Sequence, residues 1–161
     1  MSRRVRVGRP LTEAELVAVA AGWGRAWGGA LHHGETRVLG LEGDLGAGKT
    51  TFIRAFVNAL AGGPDQEVTS PTYALVHLYE TRPPTRHLDL YRVSGLDELA
   101  EIGFEDIVAA PGLVLIEWFE RCKDAAPVDR VELELDLEDD DRRRITAIGH
   151  GRGRDWMEKI E

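Results

Sequence analysis

The chain of 161 residues is 43% apolar and 30% charged, which supplies one packed interior and excludes a disordered polyelectrolyte; a single domain over residues 1–161 is expected. No run approaches the ~20 apolar residues of a membrane helix, the opening MSRRVRVGRP carries no apolar export segment, and Cys122 stands alone, so a cytoplasmic protein without an intramolecular disulfide is expected. The net charge of -8, from 20 Lys+Arg against 28 Asp+Glu, has the wrong sign for gripping nucleic acid by phosphate neutralisation alone; any RNA must be held by something else.

Leu11 to Leu31 reads as a helix. Thr12 is its N-cap, Glu13 and Glu15 sit in the first turn, and Leu16, Val19, Ala20, Trp23 and Trp27 recur at spacings of three and four. His32, His33 and Gly34 break that pattern, and Thr36 to Glu42 follows as an apolar strand that stops at glycine. A second helix is predicted from about Gly48 to Leu60, ended by Gly62, Gly63 and Pro64. TSPTY turns the chain into the strand ALVHLYE, Pro83 and Pro84 interrupt it, and RHLDLYRV resumes an alternating strand. LDELAEIGF predicts a short helix, EDIVAA a turn or helix, and GLVLIE an apolar strand. Thr36 to Glu42 and Leu113 to Glu117 are the candidates for central strands.

Farther on, Val131, Leu133, Leu135 and Leu137 alternate with Glu132, Glu134, Asp136 and Glu138, the pattern of a half-exposed antiparallel strand with a solvated acidic face. Asp139 to Asp141 make the turn, RRRITAIG returns, and a short tail with Trp156 and Ile160 follows. His77 and His87 lie in strand-like segments and read as structural histidines, and Trp23, Trp27 and Trp118 read as core. The scattered N-terminal arginines do not make an RNA arm.

GDLGAGKT, from Gly43 to Thr50, fits G-x-x-x-x-G-K-[ST] between a predicted strand and a predicted helix, the context that gives the pattern meaning. Four fixed positions coincide by chance in roughly one chain of this length in a few hundred, which favours a phosphate cradle over an empty glycine turn. Glycines let the backbone curl with its N–H groups inward, and the helix N-terminus adds partial positive charge. Lys49 supplies a charge to the β- and γ-phosphates, and the Thr50 hydroxyl is placed to ligate Mg²⁺. The fold expected is α/β: a single-domain, three-layer, P-loop NTPase-like arrangement with a mixed, mainly parallel central sheet and a C-terminal antiparallel hairpin.

Such a loop also needs an acidic group near the metal, at the end of a buried neighbouring strand. Glu117, which ends GLVLIE, and Asp89, inside RHLDLYR, both qualify; either could hold the metal.

Taken in order, GDLGAGKTT, VTSPTYALVHLY, HLDLYR and LIEWFER resemble the bacterial TsaE (YjeE) family, the P-loop ATPases of tRNA threonylcarbamoyladenosine biosynthesis. The resemblance runs from about Leu11 to Ile148. It implies an ATPase, using ATP and Mg²⁺, that binds a TsaB–TsaD heterodimer and resets that threonylcarbamoyl-transfer complex between cycles, meeting tRNA only through it. By position it implies Gly46, Ala47, Gly48, Lys49, Thr50 and Thr51 as the nucleotide loop, Thr50 with Glu117 as the magnesium pair, and Asp89 as the acid given a catalytic role. Lys49 and Glu117 belong to the same catalytic set. Val68 to Thr72 resembles the family's switch-like loop, and its base-side contacts point to Glu13 and Arg142. Phe119 stands where the family commonly has proline after Glu-Trp.

The hydrolysis expected is slow in the isolated chain and faster with partners. Two other readings are a small-molecule kinase, which would need an arginine-bearing lid, and an adapter that binds ATP without hydrolysing it.

Overall fold

The computed structural model describes residues 1–6, 8–61 and 75–157. Among these, seven strands form one sheet: Ser2–Arg6 (β1), Thr36–Glu42 (β2), Val76–Tyr79 (β3), Thr85–Asp89 (β4), Gly112–Glu117 (β5), Arg130–Leu137 (β6) and Arg143–His150 (β7), in the order β1-β7-β6-β2-β5-β4-β3. The ladders β6–β2, β2–β5 and β5–β4 are parallel, and those at both flanks are antiparallel. Only β3 and β7 therefore oppose the common direction, which is the mixed, mainly parallel sheet with a C-terminal hairpin that the sequence predicts.

The helices are Glu13–Ala30 (α1), Lys49–Asn58 (α2), Leu96–Glu101 (α3), Phe104–Ala109 (α4) and Gly153–Trp156 (α5). Side chains alternate across a strand, so β2 and β5 feed two cores. Leu39, Leu41, Leu113 and Leu115 meet α1 and α2 in one, while Val38, Val114 and Ile116 meet α3 and α4 in the other. Burial on both faces explains why both strands are nearly continuous apolar runs. The α1–α2 layer closes on aromatic edges, Trp23 against Phe52 at 5.7 Å and Trp27 against Phe56 at 6.0 Å. No helix among the described residues is long and apolar enough to cross a membrane.

Thr12 caps α1 as its sequence predicts: its hydroxyl accepts from the Glu15 N–H at 3.2 Å and the Glu15 carboxylate reaches back to the Thr12 N–H. The helix starts at Glu13 rather than Leu11, because Leu11 is spent in a two-way backbone bridge with Arg143. That bridge ties the start of α1 to the start of β7.

Two other sequence expectations change. The strand predicted through RHLDLYRV stops at Asp89, where the Asp89 carboxylate accepts from the Tyr91 N–H at 3.0 Å and turns the chain. β6 is parallel to β2 on one side and antiparallel to β7 on the other, so its acidic face is only partly solvated. Glu132 is buried and paired with Arg130 at 2.9 Å, whereas Glu134 meets Arg4 of β1 at 3.0 Å. β1 itself lacks an apolar alternation and is held by its ladder to β7. The Gly62-Gly63-Pro64 stop, the Val68 to Thr72 segment and Ile160 lie outside the described residues.

Candidate nucleotide-binding site

β2 delivers the chain to the loop and α2 carries it away. Between them the Ala47 N–H donates to the Asp44 carbonyl at 3.0 Å, and Gly48, the N-cap of α2, sits at φ 108°. A side chain there would be strained by the backbone and would press on Leu16 of α1 at 3.0 Å, so the left-handed conformation favours glycine. Gly48 as N-cap contributes no side-chain hydrogen bond, and the first residues of α2 line a cavity, where the helix N–H groups and dipole suit an anion.

Lys49 is buried. Its ammonium donates to the carbonyls of Gly43 and Asp44 and lies 4.1 Å from the centre of the Trp118 ring. Desolvation lowers its pKa, while the negative charges of Glu117, Glu120, Asp89 and Asp44 oppose that shift.

The acids arrive from the sheet. β4 and β5 are parallel with Asp89 opposite Glu117, so both carboxylates stand at the same level at the C-terminal ends of adjacent strands. Glu117 is buried, and its Oε1 accepts from the Thr50 hydroxyl at 2.7 Å. On the far side of that carboxylate, Oε2 lies 2.6 Å from Nε2 of His87, a fully buried ring whose Nδ1 lies 3.2 Å from the Tyr79 hydroxyl.

A cavity of about 400 Å³ joins these groups: Gly46, Gly48, Lys49, Thr50, Thr51, Asp89 and Glu117 line it together with Leu45, Tyr91, Trp118 and Arg143. Of the residues expected in the nucleotide loop, Ala47 alone does not line it. Its methyl is packed in the core, and its N–H is engaged in the loop turn. Glu13 and Arg142 also do not line the cavity and are exposed; the bridge to Leu11 brings Arg143 there instead.

Trp118 meets its expected core role only in part, packing against the α3–α4 core while half-buried. At φ 57° it leaves the strand, packs against Tyr91 with the rings tilted by 49° and their centroids 4.9 Å apart, and covers Lys49. Phe119, one residue on, takes the buried position, packed where Gly40 leaves room in β2. His87 and Tyr91 were legible only as members of HLDLYR; the two-residue period placing His87 on the Asp89 face was the available signal.

Thr50 and Glu117 present hard oxygen donors within hydrogen-bond distance of each other, with Asp89 in the same cavity. Magnesium is held by one or two protein oxygens together with phosphates and water, rather than by an all-protein cage, and this set fits it. Among the described residues no cluster of three or more His, Cys, Asp or Glu side chains offers such a cage.

The chain is similar to proteins from several bacteria. It is 37% identical over 127 residues to the tRNA threonylcarbamoyladenosine biosynthesis protein TsaE of Treponema pallidum, covering 79% of this chain and 91% of that one. It is 40% identical over 111 residues to the protein of the same name from Aquifex aeolicus, covering 68% and 75%. The crystal structure of Bacillus subtilis YdiB superposes with a TM-score of 0.72 at 29% identity, covering 99% of this chain and 94% of that one. The family model described as threonylcarbamoyl adenosine biosynthesis protein TsaE matches residues 15–145, and the chain belongs to that family.

Proposed function

We propose that this protein is the Mg²⁺-dependent ATPase of tRNA threonylcarbamoyladenosine formation in the cytoplasm, acting on a TsaB–TsaD heterodimer and resetting it between transfer cycles. The names of its relatives support the pathway. The observation carrying the chemistry is the Thr50 hydroxyl on Glu117 at 2.7 Å, with Asp89 in register beside it, in one cavity with the first residues of α2.

In this reading the loop from Gly46 to Thr51 holds the phosphates with its N–H groups, and Lys49 offsets the charge that builds on the transferred group. Thr50 and Glu117 hold the metal, which when bound neutralises β- and γ-phosphate oxygens. Asp89, fixed by the Tyr91 N–H, orients the attacking water and accepts its proton. Trp118, packed against Tyr91, covers Lys49 and shields that cation from water. With a net charge of -8 the protein meets tRNA through its partners.

Phosphate release measured with and without the TsaB–TsaD complex tests this. Slow turnover alone and a rise with partners are expected; an arginine supplied in trans accelerates related P-loop enzymes by about 10³ to 10⁵. Asp89→Ala should abolish the rise. Equal rates with and without the complex contradict the proposal, and absence of hydrolysis under every partner condition makes the protein a nucleotide-switched adapter.

A further inference from the structure

The Glu117 carboxylate has two ends with different neighbours. Oε1 faces Thr50 and the cavity, and Oε2 faces inward to His87. An ionised carboxylate only accepts, so the His87 Nε2 must carry a hydrogen for that 2.6 Å contact. In a neutral ring Nδ1 is then an acceptor, and the Tyr79 hydroxyl must donate to it. Burial pushes the Tyr79 phenol up to about 12, with the Glu117 charge adding to the shift, which keeps that donor protonated.

The result is a chain across three strands: the Glu117 carboxylate of β5 fixes the tautomer of His87 in β4, Tyr79 of β3 satisfies the other ring nitrogen, and the ring so held fixes the orientation of Glu117. The Tyr79 and His87 rings also stack at 6.1 Å, which limits rotation of the imidazole. Tyr79 and His87 are 6% and 0% exposed, so water does not replace either contact readily. A histidine needed only to fill the core would be served by an apolar side chain; this one spends both ring nitrogens on a path that ends at the metal carboxylate.

We propose that His87, held by Tyr79, is a positioning residue for magnesium: it pins Oε2 of Glu117 so that Oε1 alone is presented beside the Thr50 hydroxyl. The proposal rests on the magnesium reading above. Partners of this kind behind a metal ligand typically change metal affinity by about 10- to 100-fold when removed.

Magnesium titration of the full-length protein in the presence of a fluorescent ADP analogue tests it, with parallel binding in EDTA. For His87→Ala the half-saturating Mg²⁺ concentration should rise by about 10-fold. His87→Gln, whose amide N–H can reach the same oxygen, should restore most of that loss. Affinity for the analogue in EDTA should match wild type. Tyr79→Phe, which removes one hydroxyl and keeps the ring, should shift the Mg²⁺ requirement in the same direction by less, and it carries the test if His87→Ala does not fold. An unshifted Mg²⁺ requirement in the folded variants overturns the proposal, as does a loss of affinity of equal size with and without metal. If wild-type binding is itself indifferent to Mg²⁺, the underlying magnesium reading fails too; a sensitive wild type with unshifted variants sinks only the role of His87.

Discussion

Cys122 shows how burial decides the chemistry of one side chain. Its thiol donates to the Phe119 carbonyl at 3.3 Å in the α3–α4 core, and desolvation pushes its pKa from 9.0 up to about 12, Arg130 opposing. Because the folded value is the higher one, the associated stability is complete below pH 9 and is lost as pH rises from there toward 12. Thiol labelling at pH 8 should accordingly be slow in the native protein and immediate in denaturant; rapid native labelling would contradict the packing. At this scale the sequence singled out Lys49 and Thr50 by the spacing of the loop and Asp89 and Glu117 by their strands, and the structure gathers the four in one cavity. The turn at Trp118 depends on a left-handed backbone and the arrival of Arg143 on its bridge to Leu11, neither written in local pattern.

Elements were legible where periodicity and punctuation agreed. β2 and β5 are apolar runs bounded by polar or glycine residues, and α1 carries its own cap, so their bounds followed closely. β1 escaped because an arginine-rich strand has no apolar face and exists through its ladder to β7. β4 ended early because Asp89 turns the backbone with its own carboxylate. The turn after β5 was equally hidden, since its anchor lies in another strand: a methyl added at Gly40 would stand 2.3 Å from the Phe119 ring. Gly40→Ala should therefore cost about 1 to 3 kcal/mol in chemical denaturation, as overpacked cores do, and less in a Phe119→Leu background. A Gly40→Ala protein as stable as wild type would mean that Phe119 does not lock this turn.

Across the whole molecule, the parallel ladders of β2, β4 and β5 end at one level, and the phosphate loop, Asp89 and Glu117 gather there. Open α/β sheets bind ligands outside the carboxyl ends of their strands, so topology alone directs a ligand to this side. The mixed sheet was foreseeable from strand–loop–helix order, whereas the adjacency of β6 to β2 was not, because alternation reads the faces of a strand and not its neighbours. The site's proposed chemistry requires that the loop before α2 bind a nucleoside triphosphate. Calorimetric titration of ATP with Mg²⁺ into wild type and Lys49→Ala measures this directly. Saturable heat in wild type and an affinity weaker by roughly 10- to 100-fold in Lys49→Ala, the scale of lost hydrogen bonds to a charged group, are predicted. No heat in wild type, or equal affinity in both, would contradict it.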